Sequence, residues 1–270
     1  MTKRAFDIRR MPGAVTVATV CFLLLYIPMA ILVINAFNSG KVMGHWQGFS
    51  LHWFLSALQN AAFRAAAVNS LLLATAAGLI AVICATMAAL ATTRGPAFRG
   101  EQVIYMILNQ PLMVPEIVLA IALLIIFGQI KQATGYSGMG YLIVAHSAFC
   151  IPFAYMPIRA RLEDMDLTLE HAAADLYATP WQAFRRVTLP LLMPGISSGA
   201  ALAFIVSFDD FTITQLVAGP GQTTLPIFIW SQLRRPITPE LNAMCTILLA
   251  ISITFVTLSF LIANRRKTAT

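Results

Sequence analysis

Three carboxylates stand in stretches that are otherwise free of charge. Glu116 is the sole charged residue between Gln102 and Ile130, and Asp209 and Asp210 are the only two between Val187 and Leu233. An acid at bilayer depth costs about 2.5–3.5 kcal/mol on insertion scales, so it usually faces a water-filled path or a partner. The chemistry such acids offer is the holding of a cation. Asp209 and Asp210 are adjacent, so on a helix their side chains diverge by about 100 degrees. One then lines the path while the other bonds to a neighbouring helix or to a partner subunit. The competing reading makes these acids structural, satisfying backbone freed by Pro111 and Pro115 or holding subunits together. Phe208, Phe211 and Trp230 are placed to line the same path by cation–π contact, against the plainer alternative that they pack.

No other chemistry is encoded. The sequence has no G-x-x-x-x-G-K-[ST] loop, no H-E-x-x-H and no Ser-His-Asp or Cys-His arrangement. Its four histidines, His45, His52, His146 and His171, lie in separate segments, as do Cys21, Cys84, Cys150 and Cys245. The cysteines read as packing residues, and no metal and no cofactor is expected in this chain. Any ATP and Mg would belong to a different polypeptide.

The elements that must position the carboxylates follow from composition. The 270 residues are 59% hydrophobic and 11% charged, outside the range of soluble domains. Long neutral stretches alternate with clustered charges, and a bilayer core of about 30 Å needs roughly 20 apolar residues of helix. The fold class is therefore all-α, with six transmembrane helices over about 14–37, 66–92, 103–128, 139–158, 196–218 and 243–263. Counting outward from Val103 and Ile196 at 1.5 Å per residue puts Glu116 and Asp209 at one level, roughly 20 Å from the inner surface.

Orientation follows from Lys and Arg. If residues 1–13 are cytoplasmic, 13 of the 18 basic residues fall on inside segments, which places both termini in the cytoplasm. The first span follows a basic start, but it is too long for a secretory signal and no A-x-A site follows it, so it reads as an uncleaved anchor. The basic residues are scattered over four inside segments, which disfavours a nucleic-acid patch.

The longest inside connection, 159–195, has helical periodicity and is far longer than an ordinary loop. Over Leu162–Leu176, Glu163, Asp166 and Glu170 form one acidic helix face opposite Leu162, Met165, Leu169, Ala173 and Leu176. Thr179-Pro-Trp-Gln182 is a capping box opening a second helix, with Pro180 at its first position. The two helices meet near Tyr177 and Ala178. Pro190 is expected to end the second helix, and Pro194-Gly195 to turn the chain into the fifth span.

Glu170-His-Ala-Ala-Ala-Asp-Leu-Tyr-Ala-Thr-Pro-Trp-Gln-Ala-Phe-Arg-Arg-Val-Thr-Leu-Pro190 resembles the EAA loop of ABC importer permeases, whose pattern is E-A-A, three residues, G, nine residues, I-x-L-P. Ala172, Ala173, Val187, Leu189 and Pro190 match it. The family's Glu position is His171, preceded by Glu170, and its Gly position is Tyr177. A glycine there would end the first helix with a positive φ, and a tyrosine would cost about 1 kcal/mol or bend the chain differently. The resemblance implies a type I ABC importer permease fold whose loop docks in a groove of an ATPase. It assigns that coupling to Glu170, His171, Ala172, Ala173, Asp175, Leu176, Tyr177, Ala178, Thr179, Trp181, Leu189 and Pro190. Without it, an amphipathic pair of helices lying on the membrane surface would be the natural reading of the loop.

Pro111-Leu-Met-Val-Pro-Glu116, Ser207-Phe-Asp-Asp-Phe211, Gly219-Pro-Gly221 with Thr223-Thr-Leu-Pro226, and Pro239-Glu-Leu-Asn-Ala243 are similar to the second permease subunit of spermidine/putrescine importers. This likeness spans about 65–264. It implies a multi-pass protein of a bacterial inner membrane with a permease domain over 66–263 and polyamine cargo. Its implied partners are a homologous permease in a heterodimer, two ATP-binding subunits, a periplasmic polyamine-binding protein and membrane lipid. The nearest rival keeps the machine and changes the cargo to an amino acid, an aminophosphonate or a metal chelate. A more distant rival is an ATPase-independent secondary transporter, against which no inverted repeat is evident.

Overall fold

The computed structural model describes residues 13–41, 45–95, 99–234 and 238–267. The basic segment Lys3, Arg4, Arg9 and Arg10 and the basic Arg235 lie outside them. The described residues are helical apart from short connections, and six helices are long and apolar enough to cross a membrane.

The chain forms two compact units. The first comprises residues up to Asn60 together with 232–248. In it, α1 (Ala14–Ala36) exposes Val17, Phe22, Leu24, Leu25 and Ile31 around its circumference, as a helix solvated by lipid does. The chain then turns through buried Asn38, whose Nδ2 donates to the His45 carbonyl at 2.7 Å while its Oδ1 accepts from Gln47 N at 2.9 Å. Phe37 packs on Phe49 and Phe54, and α2 (His52–Gln59) follows, its Trp53 donating to the Asn38 carbonyl at 2.9 Å.

The second unit comprises 61–231 and the end of the chain from Leu249. Its core is a bundle of three long helices, α3 (Ala61–Thr93), α6 (Gly140–Glu163) and α9 (Leu189–Asp209). Lipid supplies no hydrophobic drive for one apolar helix to leave it for another, so association depends on close van der Waals fit. The sequence provides it with small residues. Ala77, Ala81, Ala85 and Ala89 stand one turn apart on α3 and are fully buried, as are Ala145, Cys150 and Ala154 of α6 and Ala203 of α9. Gly195-Ile-Ser-Ser-Gly199 lets α9 meet α6 backbone to backbone: a Cβ on Gly199 would lie 2.8 Å from the Ala154 carbonyl oxygen, and one on Gly195 2.7 Å from Arg161 Cβ.

The second unit also holds α4 (Glu101–Met113), α5 (Glu116–Thr134), α10 (Thr212–Val217), α11 (Leu225–Gln232) as far as Ser231 and, from Leu249 on, α12 (Pro239–Lys267). Two spans differ from the sequence expectation. Residues 103–128 are not one helix, because α4 stops at Met113 and Val114 is extended (φ −87°, ψ 133°). Pro115 disfavours the α conformation for the residue before it and has no N–H to donate. Residues 196–218 are interrupted as well: α9 ends at Asp209, Asp210 is extended (φ −63°, ψ 131°), and α10 restarts at Thr212. The depth count from Val103 to Glu116 therefore lapses, whereas the count from Ile196 to Asp209 stays within α9.

The 159–195 connection is also rearranged. No single helix joins Leu162 to Leu176; α6 runs on to Glu163, the chain turns, and α7 spans Thr168–Asp175. The acidic face is thereby dispersed. Glu163 pairs with Arg159 at 2.7 Å, Glu170 pairs with Arg94 at 3.2 Å, and Asp166 accepts the Thr168 N–H at 2.9 Å, which holds its carboxyl below the ordinary range.

Helix α7 ends in a Schellman motif. Ala178 N donates to the Ala173 carbonyl at 3.1 Å and Tyr177 N to the Ala174 carbonyl at 2.9 Å, with Tyr177 at φ 58°. Tyrosine thus keeps the left-handed turn that glycine would make, at a cost of about 1 kcal/mol. The capping box forms as expected around α8 (Pro180–Ala183), with Thr179 Oγ1 accepting from Gln182 N at 3.3 Å and Gln182 Oε1 from Thr179 N at 3.0 Å.

Neither Pro190 nor Pro194-Gly195 ends a helix here. A π-helical turn over Phe184–Thr188 widens the ladder, so Pro190 enters at the start of α9 where its missing N–H is tolerated, and Pro194 lies inside α9. The run from Pro180 to Asp209 is continuous.

The α6–α9 contact gives the first testable consequence. Gly199→Ala places a methyl against backbone that has no rotamer to yield, an overpacking cost of about 1–3 kcal/mol. The thermal unfolding midpoint of the detergent-purified protein should fall by about 5 °C, while Ser198→Ala at the exposed neighbouring position should leave it unchanged.

Candidate functional site

The two helix breaks meet. Glu116 begins α5 immediately after the Pro115 break, and Asp210 occupies the break between α9 and α10. Helix α5 packs on α10, and its first residue, Glu116, stands close enough to Asp210 and Thr212 for their side chains to interact electrostatically. Of the two aspartates, Asp210 is the one that bonds inward to its neighbours and stands beside Glu116. The reason is the break itself, since Asp210 has left helical geometry and its side chain turns back over α10.

Asp210 is 6% exposed and saturated with donors. It accepts from Ile213 N at 3.3 Å, Thr214 N at 2.9 Å and Thr214 Oγ1 at 2.7 Å, so it caps α10 as a helix-start aspartate does. Behind it lies fully buried His146 of α6, with Nε2 at 3.0 Å from Thr214 Oγ1 and 3.4 Å from Asp210 Oδ2, and Nδ1 at 2.9 Å from Ser207 Oγ. The Thr214 hydroxyl gives its proton to Asp210, so its oxygen accepts from Nε2–H. In a neutral ring Nδ1 then accepts from Ser207.

Asp210 therefore takes up two backbone N–H groups at the break, and Thr214, His146 and Ser207 continue from it as a chain of side-chain hydrogen bonds. Two carboxyls this near each other repel unless a proton or a positive charge lies between them. Asp209 is exposed and accepts from Ser252 of α12 at 3.4 Å.

The aromatic residues separate into two groups. Phe208 is 1% exposed and stacks on Phe204, which itself stacks on Phe255 at 3.7 Å, so Phe208 belongs to the core and not to a path. Phe211 and Trp230 pair with centroids 5.3 Å apart, and Trp230 is exposed. The Gly219–Thr223 segment between α10 and α11 is pinned in place: Asn69 Nδ2 donates to the Gly221 and Thr223 carbonyls at 3.0 Å, Ser70 Oγ accepts from Leu225 N at 2.8 Å, and Gln222 Nε2 donates to the Ser137 carbonyl at 2.9 Å.

The second site is the α7–α8 loop. Its tip presents apolar surface, with Leu176 82%, Tyr177 96% and Trp181 65% exposed. Trp181 stacks on Phe184 at 5.6 Å, which stiffens the knob. His171, Ala172, Asp175, Thr179 and Pro190 are exposed, whereas Glu170, Ala173, Ala178 and Leu189 are half-buried toward the protein. The loop thus has an outer, exposed face and an inner face anchored to the protein. The anchor is Glu170, whose Oε1 receives Arg94 Nε at 3.2 Å and Thr188 Oγ1 at 3.1 Å, while Arg94 Nη2 reaches the Leu162 carbonyl at 2.9 Å.

Arg94, Thr188 and the His146 relay were not singled out in the sequence. His146 carried a signal, being an ionisable residue inside a charge-free stretch, which is rare and usually functional. Arg94 carried none beyond its topological charge.

The chain resembles known proteins along most of its length. Residues 79–268 match the family described as binding-protein-dependent transport system inner membrane component. It is 38% identical over 243 residues to the putrescine transport system permease protein PotI of Escherichia coli K12, covering 89% of this chain and 86% of PotI. To the spermidine/putrescine transport system permease protein PotC of the same organism it is 36% identical over 246 residues, covering 91% and 92%.

Among solved structures it superimposes on a chain of a bacterial ABC transporter involved in the import of the acidic polysaccharide alginate. The TM-score is 0.71 with 17% identity, over 93% of this chain and 94% of the other. The fold is that of type I ABC importer permeases, and the family's role is transport. The chain is a multi-pass inner membrane protein and belongs to the family of binding-protein-dependent transport system inner membrane components.

Proposed function

We propose that this chain is the polyamine-translocating permease subunit of an ATP-driven importer. The observation that carries this is the meeting of two broken membrane helices at Glu116 and Asp210, with Asp209 exposed one residue away. Discontinuous helices whose ends converge are where membrane transporters place their substrate sites. Here the convergent groups are carboxylates, which suit a flexible alkylammonium and repel an anion. Similarity to permeases named for putrescine and spermidine supports the same cargo.

In this reading Asp210 and His146 hold the break open, and Glu116 and Asp209 receive the amine, with Phe211 and Trp230 offering faces for its methylene and ammonium groups. The basic residues place the α7–α8 loop and both termini in the cytoplasm. The loop's apolar tip seats in an ATPase, which carries the ATP and Mg. A homologous permease completes the path as a heterodimer, two ATP-binding subunits drive it, and a periplasmic polyamine-binding protein delivers the solute. Closure of the ATPases shifts the loops and exchanges an inward-open for an outward-open cavity.

Two measurements test the proposal. In vesicles reconstituted with the complete complex, Glu116→Gln and Asp209→Asn should each lower uptake of labelled putrescine by about tenfold, the loss of roughly 1.4 kcal/mol of charge contact, with assembly intact. Unchanged uptake returns these acids to a structural role. Ala172→Asp, at the exposed alanine of the loop, should place an unpaired charge in a close-packed contact and release the ATPase during purification. Retention of the ATPase by this variant counts against the docking assignment.

A further inference from the structure

A moving loop does work only if something stiff joins it to the helices that line the path. Covalently, the α7–α8 loop is joined on one side to α6 through the four residues 164–167, and on the other to α9 through the π-helical turn Phe184–Thr188. Both joints are compliant: the first has left helical geometry, and the second has the weaker, widened hydrogen-bond ladder of a π-turn. Helix α3, the third member of the core, has no chain connection to the loop at all.

All three core helices nevertheless converge on one carboxylate. Arg94, just past the end of α3 with its side chain 15% exposed, donates through Nε to Glu170 Oε1 at 3.2 Å and through Nη2 to the Leu162 carbonyl of α6 at 2.9 Å and the Met165 carbonyl at 3.4 Å. The same Glu170 oxygen receives the hydroxyl of buried Thr188, the last residue before α9, at 3.1 Å. Glu170 thus bridges both compliant joints and captures α3. Guanidinium suits this duty, because its planar fork holds a carboxylate and a carbonyl at once, which the single point charge of an ammonium does not.

We propose that Arg94 and Glu170 form an intramolecular latch that makes the α7–α8 loop and the α3/α6/α9 core one rigid body, so that displacement of the loop reaches the helix breaks. The lever is α9: Thr188 stands at one end and Asp210 just beyond the other, about 30 Å apart at 1.5 Å per residue. Arg94 is a positioning residue in this scheme. It touches no solute and no ATPase, and it sets how completely a push on the loop becomes a change at Glu116 and Asp210. The inference rests on reading the loop as the ATPase contact.

The test uses the complex purified with its ATPase and binding protein in liposomes, with ATP hydrolysis and uptake of labelled putrescine measured on the same preparation. Arg94→Ala should keep the ATPase bound and hydrolysing, while ATP consumed per putrescine imported rises about tenfold, the shift produced by loss of one charge-assisted contact of about 1.4 kcal/mol. Arg94→Ala/Glu170→Gln should be no worse than Arg94→Ala alone, because both remove one interaction.

Thr188→Val keeps the side-chain shape and removes only the hydroxyl, so it should raise the same ratio in the same direction even where Arg94→Ala does not assemble. A wild-type ratio in assembled Arg94→Ala or in Thr188→Val, or hydrolysis and uptake falling in equal proportion, overturns the latch. Failure of the docking assignment is read separately, as ATPase retained by Ala172→Asp.

Discussion

Within lipid, a backbone N–H or C=O that finds no partner in the protein finds none at all, and each such group costs several kcal/mol. This constraint governs the whole molecule. It makes every crossing a helix, and it makes any interruption of a helix conditional on side chains that take over the lost bonds. The break after Asp209 is held by Asp210, which accepts two backbone N–H groups and the Thr214 hydroxyl, with His146 bonded to Thr214 and Ser207 to His146 behind it. The cluster satisfies the backbone and at the same time concentrates negative charge where α5 begins.

The second consequence of lipid solvation is that helices pack by fit alone. The alanine row of α3 and the Gly195 and Gly199 pair of α9 let the three helices approach closely, with larger side chains such as Tyr155, Ile158 and Leu192 filling the rest of the core. Interfaces of this kind do not deform gradually, so a displacement applied at one end is carried to the other. What surrounds the three-helix core is built differently. Helices α4 and α5 expose large apolar residues over much of their surfaces, which suits lipid or partner chains.

The α7–α8 loop joins these two regimes to water. Its outer face bears Leu176, Tyr177 and Trp181, large apolar groups that gain little from water, and its inner face bears the Glu170 contact to Arg94 and Thr188. Tyr177 shows how strongly the turn is specified. The Schellman bonds hold it at φ 58° although a side chain disfavours that region. The departure from the glycine of the EAA pattern therefore changes the surface offered to a partner, adding an exposed aromatic ring, and leaves the chain path as it was.

What the sequence determined by itself is what depends on solvent and on neighbours close along the chain. Six crossings follow from the length of the apolar runs. The capping box at Thr179 follows from residues three apart, and the helix junction at Tyr177 from the spacing of the EAA-like pattern. The prolines show where this ends. Pro28, Pro111, Pro152, Pro157 and Pro194 lie inside helices, Pro190 enters one after a π-turn, and Pro115 ends one. Nothing local distinguishes them, because a proline frees the same backbone groups wherever it stands, and only packed neighbours decide whether those groups are satisfied with the helix bent or broken. The contact of Glu116 with Asp210, the burial of Phe208 and the convergence of Arg94, 76 residues distant, on Glu170 were settled in the same way. They join residues far apart in the chain, and the tertiary structure alone brings them into reach.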